Sequence, residues 1–154
     1  MASIPKPVEA FLGGHRIIVA GVSRSTSAPA NAIFRRLRDA GHDVIPVNPM
    51  AAQVEGERCF PDVASVPGEV HGLMVVTHPS MSSRVVQEAL ARNVRHIWFH
   101  RSFGSGSFAP EAVEACRAQG VEPILGGCPL MYCPPVDVGH RCFRWWLRLR
   151  GRVE

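Results

Sequence analysis

Residues Arg16 to Pro49 read RIIVAGVSRSTSAPANAIFRRLRDAGHDVIPVNP, and their patterning decides the fold. Ile17 to Val22 is almost wholly apolar, as a parallel strand covered on both faces must be. Ser23 to Ala30 follows as a turn of small residues. Asn31 to Ala40 then sets Ile33, Phe34 and Leu37 on one helical face, with Arg35, Arg36, Arg38 and Asp39 mostly on the other. Gly41 stands just past the helix end, where a positive φ suits glycine. Val44 to Val47 is a second buried strand, cut off by Pro49. The stretch is half of a dinucleotide-type fold.

The same alternation continues outward. Met50 to His71 is a longer connection, with an extended piece expected around Arg58 to Phe60 and a helical turn near Asp62 to Val66. Leu73 to Val76 is the third main strand, and Ser80 to Arg92 a helix that Ser80 or Ser82 is placed to cap. His96 to Phe99 is the fourth strand. Pro110 opens a helix over Glu111 to Gln119, which Gly120 closes. Val121 to Leu125 is the fifth strand. Five strands alternating with helices of about ten residues predict a single doubly wound, mainly parallel α/β sheet of Rossmann type, with right-handed crossovers. The expected organisation is a helical lead-in over 1–14, the nucleotide-binding domain over 15–133 and a basic tail over 134–154.

Bulk properties narrow the function. With 154 residues, 46% of them hydrophobic and 19% charged, the chain reads as one globular domain. No apolar run approaches the roughly 20 residues of a membrane span. The N-terminal MASIPKPVEAF lacks the order of a secretory signal, so a cytoplasmic protein is expected. The net charge of +4 is uneven. Residues 1–140 hold 12 Lys/Arg against 12 Asp/Glu, and the last 14 residues hold five arginines against one glutamate. The domain body therefore gives no support to nucleic-acid binding. The five cysteines form an odd set, read as reduced thiols. Cys128 and Cys133 lack zinc-ligand spacing, and no metal is expected.

Where β-strand meets helix at Ser23 to Ala30, outward N–H groups and the helix dipole favour an anion. Ser23, Ser25, Thr26 and Ser27 add hydroxyls there, and Arg24 the only charge. The competing explanation is that small residues merely permit a tight turn. A nicotinamide cofactor fits less well. Gly21 is present, but Ser23 and Thr26 occupy the next two glycine positions of GxGxxG, and Asn48 stands where an acidic residue would grip the ribose.

Gly21-Val22-Ser23 before a helix, with Val47-Asn48-Pro49 closing the second strand, resembles the stand-alone coenzyme A-binding proteins. These are similar in turn to the CoA-binding Rossmann domains of acyl-CoA synthetases and succinyl-CoA ligases. The likeness runs on through Gly56, Pro61, Val66-Pro67, Val76-Thr77 with Pro79, and Gly127-Cys128-Pro129, covering about residues 10–133. It implies a site for the ADP moiety of CoA or an acyl-CoA. Gly21, Val22, Ser23 and Arg24 would approach the phosphates, with Asn31 at the start of the helix. Asn48 and Pro49 would take the adenosine end, and Thr77, His78 and Pro79 the pantetheine or pyrophosphate side. The family commonly carries Lys or Arg after Asn-Pro, suited to the 3′-phosphate. Here the residue is Met50, so Arg24 or Arg84 must supply that charge.

His78 and His100 lie just after strands, where this fold does chemistry, but neither sits in a recognisable catalytic setting. Cys128 follows Gly126-Gly127 and invites a mixed disulfide with a CoA thiol, against the plainer role of a small buried residue. The expectation is a binding module, with no catalytic residue assigned. The alternatives are a small NAD(P)-dependent oxidoreductase or regulator, and a ligase subunit needing a partner chain. In the tail, HRCFRWWLRLRGRVE, helical spacing places Arg141, Arg144, Arg148 and Arg152 on one face and Cys142, Trp146 and Leu149 on another. That pattern suits docking on the domain or a homodimer contact, or else a membrane surface or an acidic partner.

Overall fold

Strand β1 (Arg16–Ala20) grows from the apolar run and lies one strand in from an edge of the sheet. The computed structural model describes residues 4–101 and 105–135, together with Cys142, Trp145, Trp146, Leu149 and Arg150. Helix α1 (Lys6–Leu12) precedes β1 and buries Val8 and Phe11. Helix α2 (Pro29–Asp39) leads to β2 (Asp43–Val47), and a small antiparallel hairpin of β3 (Gln53–Val54) and β4 (Glu57–Arg58) follows. Then come β5 (Gly72–Val75), α3 (Pro79–Ala91), β6 (His96–Phe99), α4 (Pro110–Ala118) and β7 (Ile124–Leu125).

The main sheet has the order β2-β1-β5-β6-β7, and every pairing in it is parallel. Alternate residues of each strand face opposite ways. Ile18, Ala20, Leu73, Val75, Ile97 and Phe99 pack beneath α3 and α4. Ile17, Val19, Met74 and Trp98 pack against α1 and α2, with Phe11 edge-on to Trp98 at a centroid distance of 5.3 Å. Two covered faces require strands that are apolar at every position, which is how the sequence reads.

Several boundaries move for local reasons. β1 stops at Ala20 because Gly21, at φ +100°, turns the chain out of the strand. α2 begins at Pro29 rather than Asn31, since proline is favoured at a first helical position. Neither Ser80 nor Ser82 caps α3; His78 does, its Nδ1 accepting from the Ser80 amide. The fifth strand is only Ile124–Leu125. Pro123 cannot donate to a ladder, so Val121 packs in the core from a connecting segment. The long connection holds the β3–β4 hairpin, turning at Glu55 (φ +54°) and Gly56 (φ +82°). Asp62 to Val66 is a turn in which Asp62 Oδ1 accepts from the Ser65 amide at 2.7 Å. The expected basic tail helix lies mostly outside the described residues, including Arg141, Arg144, Arg148 and Arg152; within them, Trp146 packs on the α1–α2 side of the core and Trp145 is exposed.

Candidate functional site

Strand order reverses between β1 and β5, so consecutive crossovers leave toward opposite faces and open a crevice at the carboxyl ends of these two strands. A cleft of about 260 Å³ lies there. Its floor is Ala20 to Val22 and Val76 to His78, one side is Val47 to Pro49, and the other is the Met81, Arg84, Val85 and Glu88 face of α3, with Pro61 and Asp62 above. That volume is just under the roughly 300–1,000 Å³ of sites for drug-sized ligands. It suits one part of a large nucleotide rather than the whole.

Gly21 makes the floor possible. A Cβ there would stand 2.6 Å from the Val76 carbonyl oxygen, so only glycine lets the two strand ends approach. Asn48 fixes the neighbouring wall. Its Nδ2 donates to the Val22 carbonyl at 2.6 Å, and its Oδ1 accepts from the Met50 amide at 2.7 Å. One side chain thus ties the crossover loop to the turn after β2.

Ser23 is organised from behind. Its amide donates to Asn31 Oδ1 and its carbonyl accepts from Asn31 Nδ2, both at 2.7 Å. The Ser23 hydroxyl accepts from the Ser25 amide at 3.1 Å. Asn31 Nδ2 also donates to Glu55 Oε1 at 2.9 Å, which takes a second bond from Arg35 at 2.6 Å; Arg35 reaches the Thr26 carbonyl as well. Asn31 is 1% exposed, so it holds the loop instead of facing a ligand.

The structure therefore brings Gly21, Val22, Asn48, Pro49, Thr77, His78 and Arg84 around one cleft. Ser23, Arg24, Asn31, Met50 and Pro79 do not line it. Arg24 is exposed on the crossover loop, and Met50 is 76% exposed at the rim. Sequence reading missed Pro61, Asp62, Met81, Val85 and Glu88. For α3 a signal existed, since residues 81, 84, 85 and 88 share one helical face. Thr77 Oγ1 pairs with Ser82 Oγ at 2.9 Å, and Ser82 donates to the Ser107 carbonyl at 2.8 Å, joining β5 to α3 and to the segment before α4.

The cleft's charges are coupled. Arg84 Nε meets Glu88 Oε1 at 2.9 Å, and Glu88 Oε2 accepts from the Val63 amide at 2.9 Å. Burial holds the His100 imidazole below its ordinary pKa. Burial pushes the Cys128 thiol up to about 12, which removes it as a thiolate nucleophile. Among the described residues no cluster of His, Cys, Asp or Glu is placed to hold a metal ion, and no helix is long and apolar enough to cross a membrane.

Residues 15–134 match the CoA binding domain family. This chain belongs to that family. A curated relative of this CoA binding domain, the uncharacterized protein YneT of Bacillus subtilis, is 23% identical over 113 residues, 73% of this chain and 81% of YneT. A hypothetical protein from Pyrococcus horikoshii superposes with a TM-score of 0.75 at 23% identity, over 83% of this chain and 87% of that one. The dinucleotide-forming acetyl-coenzyme A synthetase 1 of Ca. Korarchaeum cryptofilum, in complex with phosphate and ADP, matches with a TM-score of 0.65 and 24% identity. That match covers 85% of this chain and 32% of the synthetase. At such identities the superpositions establish that these proteins share the fold of this CoA binding domain.

Proposed function

We propose that this protein binds coenzyme A or an acyl-CoA at the carboxyl edge of its sheet without transforming it, acting as a carrier, sensor or regulator. The observation that carries this reading is the cleft at the β1–β5 switch point, walled by Gly21, Val22, Asn48 and Pro49, in a chain of the CoA binding domain family. In this reading the crossover loop from Gly21 through Ser23 and Arg24 meets the pyrophosphate, with Asn31 holding the loop in shape. Asn48 and Pro49 flank the adenosine. Thr77, His78 and Pro79 border the pantetheine side, and Met50 and Arg84 stand at the rim. The cleft is smaller than CoA, so pantetheine runs along the surface beyond it.

A non-catalytic role accords with what the tempting residues do. His78 Nδ1 serves the α3 cap, His100 does not line the cleft, and Cys128 is a buried thiol. A second reading, a subunit that borrows catalytic domains from another chain, is favoured by the match to only a third of an acetyl-coenzyme A synthetase. Co-purification with a larger chain would support it.

Thermal unfolding with CoA, acetyl-CoA, ADP, NAD and NADP tests the proposal. CoA at one hundred times its dissociation constant should add about 2.7 kcal/mol to the folded state. Ser23→Ala combined with Arg24→Glu should abolish that gain while the unliganded protein melts as before. Stabilisation by NAD with none by CoA would defeat the proposal.

A further inference from the structure

The wall where β2 ends is acidic. In switch-point folds the pyrophosphate follows the first crossover and the adenosine ribose meets the end of the second strand. Here that region is bounded by Asn48, Pro49, Asp62, Arg84 and Glu88. Two carboxylates stand against one guanidinium, so the lining carries a formal net charge of −1. Each carboxylate is anchored by a main-chain amide: Asp62 Oδ1 by Ser65 N–H at 2.7 Å, and Glu88 Oε2 by Val63 N–H at 2.9 Å. Arg84 is paired with one of them. Its Nε lies 2.9 Å from Glu88 Oε1, and Glu88 is the fixed member of the pair, its side chain 18% exposed against 68% for Arg84. The Asn48 amide is engaged with Val22 and Met50, and Met50, the next residue out along the rim, is uncharged.

From this arrangement, and resting on the CoA reading above, we infer that the site is built for an adenosine diphosphate with a free ribose diol. The 3′-phosphate of CoA adds at most threefold to the affinity that dephospho-CoA already has. A ribose monophosphate carries roughly −1.5 to −2 charge at neutral pH, and the lining here offers it two anchored carboxylates and one guanidinium already paired with a carboxylate, while Arg24 lies on the crossover loop outside that lining. A diol brings two O–H donors, which carboxylates accept. Specificity thus comes from repulsion as much as from attraction.

Isothermal titration of the full chain with CoA, dephospho-CoA and NAD tests the inference. The expected result is a CoA affinity no more than threefold above that of dephospho-CoA. Glu88→Gln keeps an acceptor for the Val63 amide while releasing Arg84, and Met50→Lys adds a cation at the rim. Each should raise the affinity for CoA relative to dephospho-CoA about tenfold. CoA more than threefold tighter in the parent protein, or a ratio that neither variant moves, overturns the inference and leaves the CoA reading standing. If neither CoA nor dephospho-CoA binds, or if only NAD does, both fall.

Discussion

Asn48 acts through the main chain. Its amide donates to one backbone group and accepts from another, Val22 O and Met50 N–H. An aspartate there would set a carboxylate against the Val22 carbonyl, leaving a repulsion where a hydrogen bond now stands. The Val-Asn-Pro ending of β2 is therefore first a device for shaping the cleft. The thiols give a sharper test at the same scale. Cys59, Cys116, Cys128 and Cys133 are buried and Cys142 is exposed. Burial raises all four buried thiols, Cys116 to about 11 and Cys128 to about 12. A thiol-disulfide reagent at pH 8 should titrate one fast equivalent per chain, with four more appearing in denaturant. A second fast equivalent, or a fast one retained in Cys142→Ser, would contradict this burial.

At the level of elements, the crossover loop is held from behind by two others. Asn31 on α2 pairs with both backbone groups of Ser23, and Glu55 at the hairpin tip binds Asn31 and Arg35 together. Glu55 is 9% exposed in its side chain, so this pair is better shielded than the other three ion pairs of the described residues. The hairpin thereby sets the shape of a loop some thirty residues earlier in the chain. Asn31→Ala strips Ser23 of two partners and should lower stability by about 2 kcal/mol. It should also weaken CoA binding, because the loop no longer presents its amides in one arrangement. Urea midpoints and titration of the variant check both effects. A loss below about 0.5 kcal/mol would mean that the network does not organise the loop.

At the scale of the molecule, a central sheet covered on both faces leaves polar groups mostly at its two edges. The carboxyl edge holds the cleft. The opposite edge holds His71 and His96, whose rings stack at 4.2 Å. Burial and the neighbouring His71 depress the pKa of His96, and burial depresses that of His100. Both histidines take up protons in the unfolded chain near the usual value of about 6.5, before they do so in the folded protein. Stability is thus fully present above that pH and is lost as pH falls through the lower folded values. The urea midpoint should drop between pH 7.5 and 5.5, and His96→Gln should shallow the slope. A midpoint that rises on acidification would contradict this linkage.

The doubly wound fold was legible in the residues because burial on both faces demands unbroken apolar strands, as in Ile17 to Val22, and because Gly41 and Pro110 mark helix ends by local sterics. The cleft's floor was legible for the same reason: Gly21 and Asn48 sit where such strands must end. The α3 wall and the turn above it were not, since Glu88 reaches Val63 across twenty-five positions and nothing local announces the contact. Sequence alone also left Asn31 among the ligand-facing residues. Only the packed tertiary structure turned it inward, where its amide satisfies both backbone groups of Ser23 at once. Local sterics and periodicity decided which elements form. Long-range hydrogen bonds decided which of their side chains line the site and which only hold it in place.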